Sequence, residues 1–428
     1  MSPRIALALL TLASFSPTQL HAEPAAPSSP TSVLGPLQVM QPRDGAVVGS
    51  PTIDVVGRLA ASFNQAGTTV TVNGQSATVL IDGSRAGGFR LDNFELNTGV
   101  NSLTVEAITP QGAVLQQDVQ VTLSRLTSNN VEIDTGRAYA ARGANGFAIM
   151  DLKTREFETF AAPGATGRVD DLAIADGFLF LLDAASPGNL SVMSLADPEQ
   201  PVLVSGPVVV PVGPFAGVDA AAGRVVVSGG TSLLTVRSYN ASGTLGASVA
   251  TIDLGIGQPD VLLADDGQRA FVSTDFSGFV GGSSFGISTI ALNDRPSTPT
   301  LLSRTGLPGA GFSSGFQSPA NFPIESALVG DVLVTAHGGG LSRVNSNGGL
   351  LGTTPRGFFA VNVDADGDTA FVVGTNRSLA TIDVSNIASP VVESVESFAG
   401  PGTFTSVAAN GFYCAIASNA GGLRVLRR

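Results

Sequence analysis

Asn362, Asp364 and Asp366 stand at alternate positions ahead of Gly367, so three oxygen-bearing side chains precede a turn glycine. Hard cations take oxygen ligands in this kind of spacing, which makes calcium the candidate cofactor and these three residues the candidate metal ligands. The match stops short of a complete loop. A twelve-residue calcium-hand loop needs its closing acid where Val373 stands, and a shorter loop type needs one at Ala370. The same register elsewhere, Ala264-Asp265-Asp266-Gly267, reads as an ordinary turn.

A second set of acids recurs near the start of short apolar runs: Asp170, Asp171, Asp219, Asp260, Glu325 and Asp364. Brought together, such carboxylates would attract a cation or a cationic ligand, so Asp171, Asp219, Asp260 and Glu325 are candidate binding residues. The competing reading is that each acid accepts a backbone hydrogen bond from a neighbouring element.

Nucleophilic catalysis finds little to work with. Past residue 22 the one histidine is His337, which rules out a two- or three-histidine metal site within one chain. No G-x-S-x-G elbow follows a strand. Paired carboxylates for glycan hydrolysis are available, but the chain has no tryptophan and only three tyrosines to stack on a sugar. Cys414 sits inside the apolar run 412–417 and reads as a buried, inert thiol. The richest contact surface is instead a pair of glycine-rich stretches, 276–285 and 306–323, carrying Phe276, Phe279, Phe285, Phe312, Phe316 and Phe322. Exposed, these rings would form an apolar patch for a protein or peptide partner; folded down, they would be local core.

These residues must be positioned by the elements around them. Residues 360–392 read as strand, Asp-Gly turn, apolar strand, polar turn, apolar strand and a Pro-bearing loop. The turn and the strand after it recur at Gly136, Gly177, Gly223, Gly267, Gly330, Gly367 and Gly411, with spacings of 41, 46, 44, 63, 37 and 44. A four-stranded propeller blade repeats at roughly 40–50 residues, so seven turns predict seven blades, one of them stretched. The stretch lies in the fourth unit, where the phenylalanines are. Insertions of this kind map to loops, often on a binding face.

The second half of each unit sharpens the assignment. Asn189-Leu-Ser-Val-Met-Ser-Leu-Ala-Asp-Pro and Ser378-Leu-Ala-Thr-Ile-Asp-Val-Ser resemble repeats of the LVIVD family, as do the shorter 146–152 and 422–426. The copies at 233–254 and 340–354 lack that family's Asp-to-Pro loop. The resemblance covers about residues 131–428 and implies a β-propeller, without fixing what it does.

Ahead of the repeats, residues 1–22 read as a secretory signal peptide: Arg4, an apolar run at 5–15 too short to span a bilayer, then Leu20-His21-Ala22. Residues 23–33 are a Pro/Ala/Ser linker. Residues 34–123 alternate short strands with glycine turns, including the Asn73-Gly74 hairpin signal. The segments 42–47, 72–74 and 96–107 resemble bacterial immunoglobulin-like domains, which implies a β-sandwich used as a spacer or attachment module.

The net charge is −12, scattered, with Lys153 the only lysine. That pattern argues against nucleic-acid partners and membrane insertion. The sequence therefore predicts an all-β, exported protein of the periplasm or cell exterior: an immunoglobulin-like sandwich (34–123), then a seven-bladed propeller (124–428) acting as a non-enzymatic binding or scaffold protein. The alternative is a metal-assisted or carboxylate-based hydrolase or lyase at an acidic channel mouth. The last repeat ends one strand short, so a strand near residues 124–128 is expected to complete it.

Overall fold

The computed structural model describes residues 37–81, 86–164, 166–185, 187–212, 216–229, 233–254, 260–275, 285–292, 299–307, 326–337, 340–354, 360–374 and 376–428. From residue 130 onward the strands form seven sheets. These are blade 1 (130–160), blade 2 (171–210), blade 3 (218–253), blade 4 (260–306), blade 5 (326–354), blade 6 (360–397) and blade 7 (404–427). Six blades have four strands in sequence order, and blade 7 has three. The seven-bladed propeller and the short last repeat are both as the spacing predicts.

The turn glycines set the hairpins. Gly136, Gly177, Gly223, Gly267, Gly330 and Gly367 all have φ between 56° and 82°, the left-handed region that only glycine enters without a Cβ clash. The seventh turn is made differently. There the Asn410 carboxamide oxygen accepts the backbone N–H of Phe412 (3.1 Å) and Tyr413 (2.9 Å), and Gly411 keeps an ordinary φ.

Successive residues of a strand point to opposite faces of its sheet, and a blade has a neighbour on each face. That is why the second strands are apolar throughout. In Phe178–Asp183, Phe178, Phe180 and Leu182 pack toward blade 3, while Leu179 and Leu181 pack toward blade 1. The buried apolar residues of the propeller fall into seven clusters, each shared by two consecutive blades. The seam between blades 7 and 1 is one of them, lined with alanines such as Ala138, Ala140, Ala415 and Ala417 and joined by Leu126.

Residues 37–123 contribute eight strands in one continuous sheet. The strand Gln75–Leu80 pairs with Thr69–Val72 on one edge and with Ala86–Glu95 on the other, so the two halves of the expected sandwich are linked by hydrogen bonds. Both halves feed a single core, from Leu37 to Leu123. The Asn73-Gly74 turn has φ of 47° and 81°, the conformation its hairpin requires.

The open edge of blade 7 corrects one expectation. Residues 124–128 form no strand; they pass the seam as a connector, with the Leu423 N–H donating to Leu126 O (2.8 Å). The outermost strand, Arg424–Arg427, is instead met by side chains of the N-terminal sheet. The Ser50 hydroxyl accepts the Val425 N–H (3.0 Å) and the Thr52 hydroxyl donates to Val425 O (2.7 Å). Two residues on, the Asn93 carboxamide accepts the Arg427 N–H (2.9 Å) and donates to Arg427 O (3.3 Å). A strand edge offers N–H and C=O of alternate residues outward, so three side chains, Ser50 with Thr52 and then Asn93, do the work of a fourth strand here.

The same N-terminal sheet also holds blade 1. Val48 bridges to Glu156, the Gly49 N–H donates to Arg155 O (3.0 Å), and Gln41 Nε2 donates to Lys153 O. Glycine at position 49 allows this close approach, since a Cβ would lie 2.6 Å from Met150 and 2.8 Å from Phe157 and push both side chains aside. Beneath this contact Arg155 is fully buried, 3.7 Å from buried Asp54 and 5.2 Å from the centre of the Tyr413 ring. The N-terminal sheet thus straddles the place where the ring closes.

Candidate functional site

Each blade begins with the strand nearest the propeller axis. First strands of blades 1 and 2, 2 and 3, 3 and 4, 5 and 6, and 6 and 7 lie against each other, and Phe404–Ala409 meets Asn130–Asp134 to close the circle. The pairings place the polar residues of these strands in two tiers. Glu132, Asp219 and Asp364 sit opposite Tyr139, Val226 and Phe371, three pairs in from their turns. Asn130, Asp171, Asp260, Asn362 and Ser406 occupy the fifth pair. Third and fifth positions share a face, so all eight side chains turn the same way.

Three of these acids spend an oxygen on the neighbouring blade. Asp171 accepts the Val218 N–H of blade 3 (2.7 Å), Asp219 the Leu263 N–H of blade 4 (2.6 Å), and Asp364 the Ala409 N–H of blade 7 (2.7 Å). Asn362 accepts the Val407 N–H (3.1 Å), the Ser406 hydroxyl donates to Asn130 (2.6 Å), and Asn130 donates to Asp171. These three acids therefore staple their blades to the next one in the ring. Asp170 faces elsewhere: it lies just outside the first strand, pairs with Arg168 and accepts the Ala184 N–H (2.9 Å).

Crowding carboxyls away from water disfavours their charged forms. Burial, partly offset by the backbone donors, raises Asp171 and Asp364 to about 6 and Asp219 to about 7. Asp260 is pushed well above the usual carboxylate range by burial and then by Asp171. Glu132 is raised too, first by burial and then by repulsion from Asp364, Asp219, Asp171 and Asp260. Glu132 was missed in the sequence, although it stands four residues before Gly136 as Asp219 does before Gly223. The channel carboxyls are thus all shifted upward, toward neutral pH.

The three residues of the calcium pattern lie on one strand, Ala360–Asp366, rather than in a loop. Asn362 and Asp364 face blade 7 as described, and Asp366 pairs with Arg428 at 2.6 Å. Among the described residues, no three His, Cys, Asp or Glu side chains come together as a metal-binding group. His337 is buried, hydrogen-bonded to the Ser342 hydroxyl (2.7 Å), and burial lowers it to about 4. Cys414 is buried and its thiol pushed far up. Phe276, Phe279, Phe312, Phe316, Phe322 and Glu325 lie outside the described residues, as does the side chain of Phe285, at the start of the strand Phe285–Ala291.

No protein-family model matches the chain, and no curated protein does. Among solved structures it is similar to U3-55K, with a TM-score of 0.50 at 10% identity over 71% of this chain and 96% of that one. The WD40 domain of Neurospora crassa Pan2 follows at 0.48 and 12% identity, over 70% and 89%. BamB from Moraxella catarrhalis gives 0.46 and 11%, over 71% and 98%. At these identities the likeness to U3-55K is one of fold alone.

Proposed function

We propose that the chain is an exported binding or scaffold protein, related to the LVIVD-repeat propellers, that presents the loops of its stretched fourth blade to a protein or peptide partner. The observation that supports a non-enzymatic role is the state of the channel acids. Catalytic carboxylates need oxygens free to exchange protons with a substrate. Here Asp171, Asp219 and Asp364 give theirs to backbone N–H groups of the next blade. His337, the other group suited to acid–base work, is buried against Ser342.

On this reading the immunoglobulin-like N-terminal sheet is a clamp on the ring rather than a free spacer, because its contacts to blades 1 and 7 fix its position. Calcium at Asn362, Asp364 and Asp366 would need Asp366 to leave Arg428. A photo-reactive residue at Phe312 in the native host tests the partner. A defined protein should be cross-linked, and the cross-link should vanish when Phe316 and Phe322 are changed to Ser. A hydrolase or lyase activity abolished by Asp219→Asn would replace this reading with the catalytic one.

A further inference from the structure

The junction between the N-terminal sheet and blades 6 and 7 encloses a cleft of about 180 Å³. Three arginines line it, Arg125, Arg377 and Arg424, against a single acid, Glu95. In a chain of net charge −12, three arginines lining one cavity make a local positive field against the general one.

Arg377 carries the argument. It occupies the turn between Thr369–Gly374 and Ser378–Asp383 with φ of 61°, a conformation rare for a residue with a Cβ. Its own backbone pins it there, the N–H donating to Gly374 O (3.0 Å) and the C=O accepting the Phe398 N–H (3.0 Å). The side chain reaches the loop 399–402, where a Cβ on Gly400 would lie 3.5 Å from Nη1. Nη1 is shut off from water and has no hydrogen-bond partner. A buried charged donor without an acceptor is costly, so an unmet one on a side chain that lines a cavity favours an acceptor there.

The other two arginines are already oriented. Arg424 is almost wholly buried, ion-paired to Glu95 and stacked 4.7 Å from the centre of the Phe398 ring. Arg125 is held by its Nε–H to the Thr98 hydroxyl (2.7 Å). The cavity is smaller than the roughly 300–1,000 Å³ of drug-sized sites, so it suits one small group. The guanidinium fork matches an oxyanion in two parallel hydrogen bonds.

We propose that this cleft binds a small oxyanion, a phosphate or carboxylate group, with Arg377 as its main ligand and Arg125 and Arg424 supplying charge. The ligand would bridge the N-terminal sheet to blades 6 and 7 and so strengthen the junction. The test is isothermal titration of the full chain with inorganic phosphate and, separately, with succinate, at constant ionic strength set by sodium chloride.

Saturable binding of either is expected, and which of the two binds tells phosphate from carboxylate. Arg377→Gln should weaken it by 10-fold or more, and Arg377→Lys should recover part of the loss by restoring charge without the fork. Arg125→Gln, a more exposed change that keeps the turn intact, should weaken it about 3–10-fold, and near-ultraviolet circular dichroism checks that each variant is folded. No saturable binding of either probe overturns the proposal, as does equal binding by wild type and folded Arg377→Gln.

Discussion

The propeller channel and the junction cleft are both lined by like charges, acids in one and arginines in the other, yet they use them in different ways. In the channel blades 3, 4 and 7 present backbone N–H groups to Asp171, Asp219 and Asp364, so these carboxylates find donors within the fold. In the cleft the partners come from two separately built parts of the chain, and Arg377 Nη1 is left without one. Clustered charge is therefore a poor guide to a site. Hydrogen-bonding capacity that the fold leaves unspent is a better one.

The largest test concerns the buried contact beneath the junction. Asp54 accepts from Arg90 (2.5 Å) and stands beside buried Arg155. Removing one partner of a buried pair typically costs about 3–5 kcal/mol, because the other charge is stranded. Asp54→Ala should lose that much in urea unfolding. A loss under about 1 kcal/mol would mean that water reaches Arg155 and that the junction is as well supplied as the channel.

Asn93→Ala comes next, since it bares the N–H and C=O of Arg427 on the edge of blade 7. The cost should be about 1–3 kcal/mol, with faster hydrogen exchange at Arg427 as the local readout. Unchanged exchange would show that the edge closes without the N-terminal sheet.

The channel should respond to pH in the opposite sense to ordinary acid denaturation. Its raised carboxyls bind protons in the folded state that the unfolded chain would release, so their contribution is present in full below about pH 4. It is lost as pH rises through the folded values of about 6 for Asp171 and Asp364 and about 7 for Asp219. The melting temperature should fall between pH 5 and pH 8. Asp219→Asn should flatten that fall by about 2 °C, on the usual scale of 2–4 °C per kcal/mol for large domains. An identical slope in the variant would remove Asp219 from the titration.

The smallest effect is expected of calcium. With Asp366 on Arg428 and Asp364 on Ala409, added calcium should move the melting temperature by less than about 1 °C relative to chelator. A larger rise, lost in Asp366→Ala, would make the Asn362-to-Asp366 pattern a metal site.

Much of this architecture is legible along the chain because it is local. A turn glycine followed by an apolar run such as Phe178–Asp183 specifies a hairpin buried on both faces, and its recurrence counts the blades. Asp171, Asp219, Asp260 and Asp364 were found because each lies near the start of a repeated apolar run. Glu132 escaped, although the pairing puts it in the same register as Asp219.

Nothing local announces that Asn93 will stand in for a strand 334 residues away, or that Ser50 will meet Val425 across 375. Local periodicity and turn chemistry are properties of neighbouring residues, so the sequence alone determined the all-β class, the seven blades and the missing last strand. What closes that blade, which acids are spent as staples and which arginine nitrogens are left without a partner depend on contacts between distant segments. Those are decided only when the chain packs, because each rests on which donor happens to face which acceptor.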